Sequence, residues 1–344
     1  MVKIAIVNSK SFGKYTDALK QLRKIGEVSR IEVPREIPGK ELAEKLKGYN
    51  FVIASVTPYY TREFFENNED VIMIIRHGIG VDNIDLRAAE EHGVIVARVP
   101  GWREREAVAE HTVALLLSAL RMIPQAYFAV KEGRWSDRAK FIGRELNNMT
   151  VGIIGFGNIG SRVAEILSKG FGAKIVVYDP YVPKDKVEKL GYKYVESLRE
   201  LFSISDVVSL HAILTSETYH MINRELLSEA KRGIIIVNTA RGELIDGKAL
   251  IEAIEKGIVA AAAMDVVEGE PIDSSHPFLK YENIIVTPHI AAYTWEALRG
   301  MDEAMVEAIK NYLEGKPIDG IVVMPKNPRK LKTLTQAGCR GALL

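Results

Sequence analysis

One cysteine, Cys339, stands in a chain of 344 residues. An intramolecular disulfide framework and a cysteine-rich metal site are therefore excluded, and a reducing, cytoplasmic setting is expected. Charge of one sign is also missing, since 46 Lys and Arg face 45 Asp and Glu. That balance removes the usual electrostatic ground for a nucleic-acid or anionic-membrane partner. Long apolar runs are lacking too. Those at residues 113–117 and 258–264 fall far below the roughly 18 residues of a bilayer-spanning helix. The apolar run in residues 1–8 is too short for a signal peptide and reads as a first strand, so a soluble protein is expected.

What is present is 47% hydrophobic residues over a length suited to about two domains. In the first hundred residues, short β-branched runs at 4–7, 51–56, 71–75 and 94–97 alternate with charged amphipathic stretches, the pattern of a parallel sheet. A strongly apolar helix is expected over 103–123, with Pro124 as its stop. A second series follows, with strands expected at 151–154, 174–178, 207–210, 234–238, 260–264 and 284–286, the strand count of a dinucleotide-binding fold. One long helix over 295–313 closes at Gly315 and Pro317. Residues 325–344 carry five basic and no acidic side chains and are expected to form a disordered tail.

Gly155, Gly157 and Gly160 form a G-x-G-x-x-G turn between the strand at 151–154 and a helix that opens on Asn158 and Ile159. Glycine there permits a tight turn, close approach of backbone to a pyrophosphate, and close packing of helix on strand. Asn158 and Ile159 would offer main-chain amides to the anion. Asp179 ends the next strand at the distance expected of an acid that binds a ribose diol. Its charge would repel a phosphate on that ribose, so NAD is expected rather than NADP.

In such sheets ligands bind beyond the carboxyl ends of the strands. His211, Thr239 to Gly242, Asp265, Glu270 and His289 all follow strand ends. An arginine grips a carboxylate with a two-pronged donor set, a histidine exchanges protons near neutrality, and a carboxylate orients the histidine. These properties assign substrate anchoring to Arg241, acid/base work to His289 and its partnering to Glu270. No histidine has the spacing of a metal ligand.

Several motifs resemble those of the D-isomer-specific 2-hydroxyacid dehydrogenases over residues 3–323. They are Arg76-His-Gly78-Ile-Gly80-Val-Asp82-Asn-Ile-Asp85, Val108-Ala-Glu110-His-Thr112, the Gly155 to Gly160 turn, Asn238-Thr-Ala-Arg241-Gly242, Asp265 to Pro271, and Pro288-His289-Ile-Ala-Ala292. The resemblance implies that Arg241, Glu270 and His289 are catalytic and that Gly78 and Ile79 bind the substrate carboxylate. It also implies that Thr112, His211, Thr239, Ala240 and Asp265 line the cofactor. Arg76 is a candidate for a second acidic group on the substrate.

The implied fold is α/β, with two doubly wound parallel-sheet domains. A discontinuous flavodoxin-like substrate domain would take residues 1–101 and 292–324, and a Rossmann NAD-binding domain residues 102–291. A homodimer through the helical arm after Arg103 is implied as well. The expected activity is NAD-dependent interconversion of a D-2-hydroxy acid and its 2-keto acid. Phosphoglycerate, glyoxylate or hydroxypyruvate, or a 2-keto sugar acid, are the substrates to consider. An NAD-sensing corepressor-like binding protein is the alternative from another class.

Overall fold

The computed structural model describes residues 1–331. It divides into two compact units, Met1–Glu104 with the segment from Thr294 onward, and Arg105–Tyr293.

The first unit holds the parallel strands β1 (Lys3–Val7), β2 (Glu27–Ile31), β3 (Phe51–Ala54), β4 (Met73–Arg76) and β5 (Ile95–Arg98), in the order β2-β1-β3-β4-β5. A short strand, Ile321–Val323, adds to the β5 edge in the antiparallel sense. β1, β3 and β4 are buried along almost their whole length, as strands covered on both faces must be. On one face the helix Trp295–Glu314 sets Met301, Met305 and Ile309 against Ile4, Phe51 and Ile75. Truncating a side chain such as Met305, fully buried here, to alanine costs about 2–5 kcal/mol. On the other face the helices Gly39–Lys45, Arg62–Asn67 and Leu86–Glu91 cover Val7, Val52, Ile74 and Val96.

The second unit holds β6 (Thr150–Ile154), β7 (Lys174–Tyr178), β8 (Lys193–Tyr194), β9 (Val207–Leu210), β10 (Ile234–Asn238), β11 (Val259–Met264) and β12 (Ile284–Val286). All seven are parallel, in the order β8-β7-β6-β9-β10-β11-β12, with the direction of winding reversed beside β6. The helices Arg105–Leu120 and Asn158–Phe171 cover one face. Helices Leu198–Ile204, Arg224–Ser228 and Gly247–Glu255 cover the other.

Three expectations need correction. Pro124 lies at the start of a second helix, Ile123–Lys131, bent by 63° from the first. Proline in a first helical turn lacks only an amide that has no partner there in any case. The helix Arg105–Leu120 is itself core, burying Val108, Val113, Leu115 and Leu116. The exposed apolar side chains of the arm come later, at Ile123, Tyr127, Phe128, Val130, Trp135 and Ile142.

The expected tail is ordered at its start. Arg329 donates to the carbonyls of His92 and Val71 at 2.7 and 2.9 Å, its amide bonds Gly93 at 2.8 Å, and Leu331 is buried. A guanidinium with several donors meets the carbonyl of His92, the C-cap of the helix Leu86–Glu91, and that of Val71 just ahead of β4, which overrides the absence of an apolar period. The remainder of the expected tail, 332–344, lies outside the described residues.

Candidate active site

Strand register builds the site. Across the second sheet Tyr178, Ile154, Leu210, Asn238, Met264 and Val286 stand in one row. The residues one step further along their strands are Asp179, Gly155, His211, Thr239, Asp265 and Thr287. Five of these six are expected site residues, and register alone brings them to one carboxyl edge.

The glycine turn has the shape its sequence implies. Gly155 has φ +86°, and a Cβ there would lie 2.7 Å from the main chain of His211. A Cβ at Gly160 would meet the carbonyl oxygen of Gly155 head-on, whereas one at Gly157 would face open space. The helix Asn158–Phe171 begins at Gly157 with no side-chain cap, so the amides of its first turn, those of Asn158 and Ile159 included, are left without capping partners. Asp179 is buried and accepts the amides of Phe156 at 2.7 Å and Tyr181 at 2.9 Å. Each of its oxygens retains a lone pair for a ligand.

Beyond β10 the Asn238 side chain donates to the carbonyl of Arg241 at 2.7 Å and accepts the amide of Ala240 at 2.9 Å, which fixes the turn that presents Thr239 and Arg241. Thr112, on the helix Arg105–Leu120, gives its hydroxyl proton to the Val108 carbonyl at 2.7 Å. It therefore accepts from Thr239 at 2.8 Å. Two expected cofactor contacts from separate motifs are thus joined directly. His211 packs its ring back onto Ser209 at 2.8 Å, and burial pushes its pKa down to about 3, so it is neutral at pH 7. Ile213 is exposed.

Nδ1 of His289 lies 2.5 Å from Oε1 of Glu270. An ionised carboxylate only accepts, so Nδ1 carries a proton and Nε2 is the nitrogen left to exchange one. His289 has φ +55°, a left-handed conformation that costs a non-glycine residue about 1–2 kcal/mol. The surrounding turn holds it there. Its amide donates to the carbonyls of Asp265 and Thr287, both at 2.9 Å. The buried Asp265 carboxylate takes Thr287 Oγ1 at 2.6 Å and the amides of Ile290 and Ala291 at 2.9 and 2.8 Å. Burial opposes ionisation of Asp265, but these bonds and one from His111 outweigh it and hold the carboxyl below the usual carboxylate range.

Arg76, Gly78 and Ile79 belong to the first unit, at the end of β4. Arg76 is buried, its Nη1 donates to the His77 carbonyl, and a Cβ at Gly78, which has φ +142°, would lie 2.8 Å from that nitrogen. Arg98, one strand over in register, donates to the Ile79 carbonyl at 3.2 Å. His77 bridges Ser9 Oγ at 3.0 Å and Asp302 at 3.1 Å within the interior. Neither Arg98 nor His77 was singled out from the sequence. Their partners are remote in the chain and follow no spacing rule.

The family model for the D-isomer specific 2-hydroxyacid dehydrogenase NAD binding domain matches residues 113–291. The D-3-phosphoglycerate dehydrogenase of Methanocaldococcus jannaschii is 42% identical over 330 residues, which cover 96% of this chain and 61% of that one. The chain likewise spans 58% of the corresponding Archaeoglobus fulgidus protein. The hydroxypyruvate reductase of Thermotoga maritima is 43% identical over 260 residues, 75% of this chain and 82% of that one. Among solved structures, apo D-lactate dehydrogenase from Escherichia coli is similar with a TM-score of 0.77 at 33% identity, over 94% of this chain and 100% of that one. Sequence, fold and site geometry agree with these likenesses, and the chain belongs to the D-isomer specific 2-hydroxyacid dehydrogenase family.

Proposed function

We propose that this chain interconverts a D-2-hydroxy acid and its 2-keto acid with NAD. The observation that carries the reading is the His289–Glu270 pair, set on the same sheet edge as the glycine turn and Asp179. The open space at Gly157, the uncapped helix start and the carboxylate of Asp179 fit a dinucleotide with a free ribose diol. When bound, its nicotinamide supplies a hydride in reduction and takes one in oxidation.

His289 delivers the proton from Nε2 to the oxygen that becomes the hydroxyl, and recovers it in the reverse direction. Glu270 holds the Nδ1 proton, which fixes the ring and offsets the positive charge the imidazole carries between turnovers. Arg241 aligns the substrate carboxylate through its planar donor pair. Resemblance adds the loop at Gly78 and Ile79 as a second carboxylate contact.

Arg241 and Arg76 each place Nη1 on a main-chain carbonyl, that of Ala240 and of His77, but Arg76 is buried, which favours a supporting role over capture of a phosphate. Substrates with a single carboxylate, glyoxylate or hydroxypyruvate, fit this better than phosphohydroxypyruvate. Initial rates with glyoxylate, hydroxypyruvate, phosphohydroxypyruvate and a 2-keto sugar acid, each with NADH and NADPH, test the reading. The highest kcat/KM is expected for hydroxypyruvate or glyoxylate with NADH. Absence of turnover across the panel would overturn the activity, and dominance of phosphohydroxypyruvate would restore Arg76 to the substrate.

A further inference from the structure

The chemistry above leaves one histidine beside the site without a task. His111 lies on the helix Arg105–Leu120, next to Thr112, and its side chain is about one-fifth exposed (22%). Its Nε2 is 3.2 Å from Thr287 Oγ1 and 3.4 Å from Asp265 Oδ1.

Proton counting sets the direction of these bonds. Thr287 has one hydroxyl proton and donates it to Asp265 at 2.6 Å, so its oxygen can only accept from His111. The ionised Asp265 also only accepts. Nε2 of His111 therefore carries a proton and donates to both groups.

Those two groups are the supports of the His289 turn. Thr287 lies two residues before His289, and its main-chain carbonyl and that of Asp265 take the His289 amide, while the Asp265 carboxylate takes the amides of Ile290 and Ala291. Glu270 restrains the His289 ring from the far end. The backbone at His289 is in a left-handed conformation that its own side chain disfavours, so the ring's direction depends on the turn's bonding.

We propose that His111 is a positioning residue for proton transfer: by donating to Thr287 and Asp265 it ties a core helix to the turn that aims His289 at the substrate carbonyl. This rests on His289 being the acid/base group. Without His111 the Asp265 carboxylate keeps its bonds from Thr287, Ile290 and Ala291, so the loss of His111 would leave nucleotide binding intact and slow the proton step.

The test compares His111→Phe, His111→Gln and His289→Ala in the full chain, each with NADH and the preferred keto acid. His111→Phe keeps the ring's bulk and removes the donor. It is expected to lower kcat about 10- to 100-fold, the scale of a small misalignment of reacting groups. The NADH dissociation constant should stay unchanged, and the solvent deuterium isotope effect on kcat should rise. Glutamine carries a donor nitrogen at matching reach, so His111→Gln should recover most of the rate. A His111→Phe enzyme with wild-type kcat and isotope effect would overturn the proposal. So would a loss accompanied by weakened NADH binding that glutamine does not rescue. An active His289→Ala enzyme would instead remove the acid/base reading, which keeps the two failures apart.

Discussion

Oδ2 of Asp179 accepts the Phe156 amide at 2.7 Å, which joins the acid at the end of β7 to the glycine turn after β6. On the function proposed above, cofactor preference and turn geometry share one side chain. Replacing Asp179 with alanine should raise the KM for NADH about 10- to 100-fold, the worth of hydrogen bonds to a charged group. The ratio of NADPH to NADH turnover should rise as well. Initial rates with both nucleotides measure this, and an unchanged ratio would mean that the ribose lies elsewhere.

Gly157 and Gly160 separate binding from folding. Gly157→Ala adds a methyl group where the protein has open space, so its Tm should match wild type while NADH binding falls, read by fluorescence titration. Gly160→Ala drives a methyl group into the Gly155 carbonyl. Overpacking of that kind costs about 1–3 kcal/mol, so Tm should drop together with binding. The reverse pattern would contradict the placement of the pyrophosphate.

Arg241→Lys keeps the charge and loses the fork. The KM for the keto acid should rise by about tenfold and kcat should fall, with NADH affinity intact. Unchanged steady-state kinetics would remove Arg241 from the substrate.

His77 sets a pH limit on the first unit. Burial is the main cause that lowers its pKa, partly opposed by its bond to Asp302. The unfolded chain, with an ordinary histidine near 6.5, binds the proton more readily than the folded one. Stability is therefore at its full value above about pH 6.5 and declines as pH falls towards the folded pKa, at up to about 1.4 kcal/mol per pH unit. Denaturant unfolding between pH 7.5 and 5 should show this slope, and His77→Gln should flatten it. His211 contributes with the same sign.

The exposed residues Tyr127, Phe128 and Trp135 place a broad apolar face on the segment after the helix Arg105–Leu120. We expect this face to mediate a homodimer. Replacing the three with serine should convert a dimer to a monomer in sedimentation while leaving the helix Arg105–Leu120, which is core, in place. A monomeric wild type would refute it.

Much of this was legible in the residues themselves. Parallel strands announce their carboxyl ends, so residues after β6, β9, β10, β11 and β12 stood out before their register was known. Local spacing has no means of showing who meets whom across the sheet: the pairing of Thr112 with Thr239, the reach of His111 to Asp265 and that of Arg98 to Ile79 are long-range. Weak strands were lost as well. β8 is two residues long, and β2, Glu-Val-Ser-Arg-Ile, is an exposed edge whose charges dilute the apolar signal. The strand Ile321–Val323 pairs with β5 only because the chain returns after the long helix.

That return also orders events in time. The second unit is continuous in sequence, whereas the sheet of the first unit lacks Met301, Met305 and Ile309 on one face until the helix Trp295–Glu314 has been synthesised. During translation residues 1–104 thus emerge with one face of their sheet uncovered and wait for some two hundred more. Of these two units the nucleotide-binding one completes itself first, and the one that carries Gly78 and Ile79 closes after it.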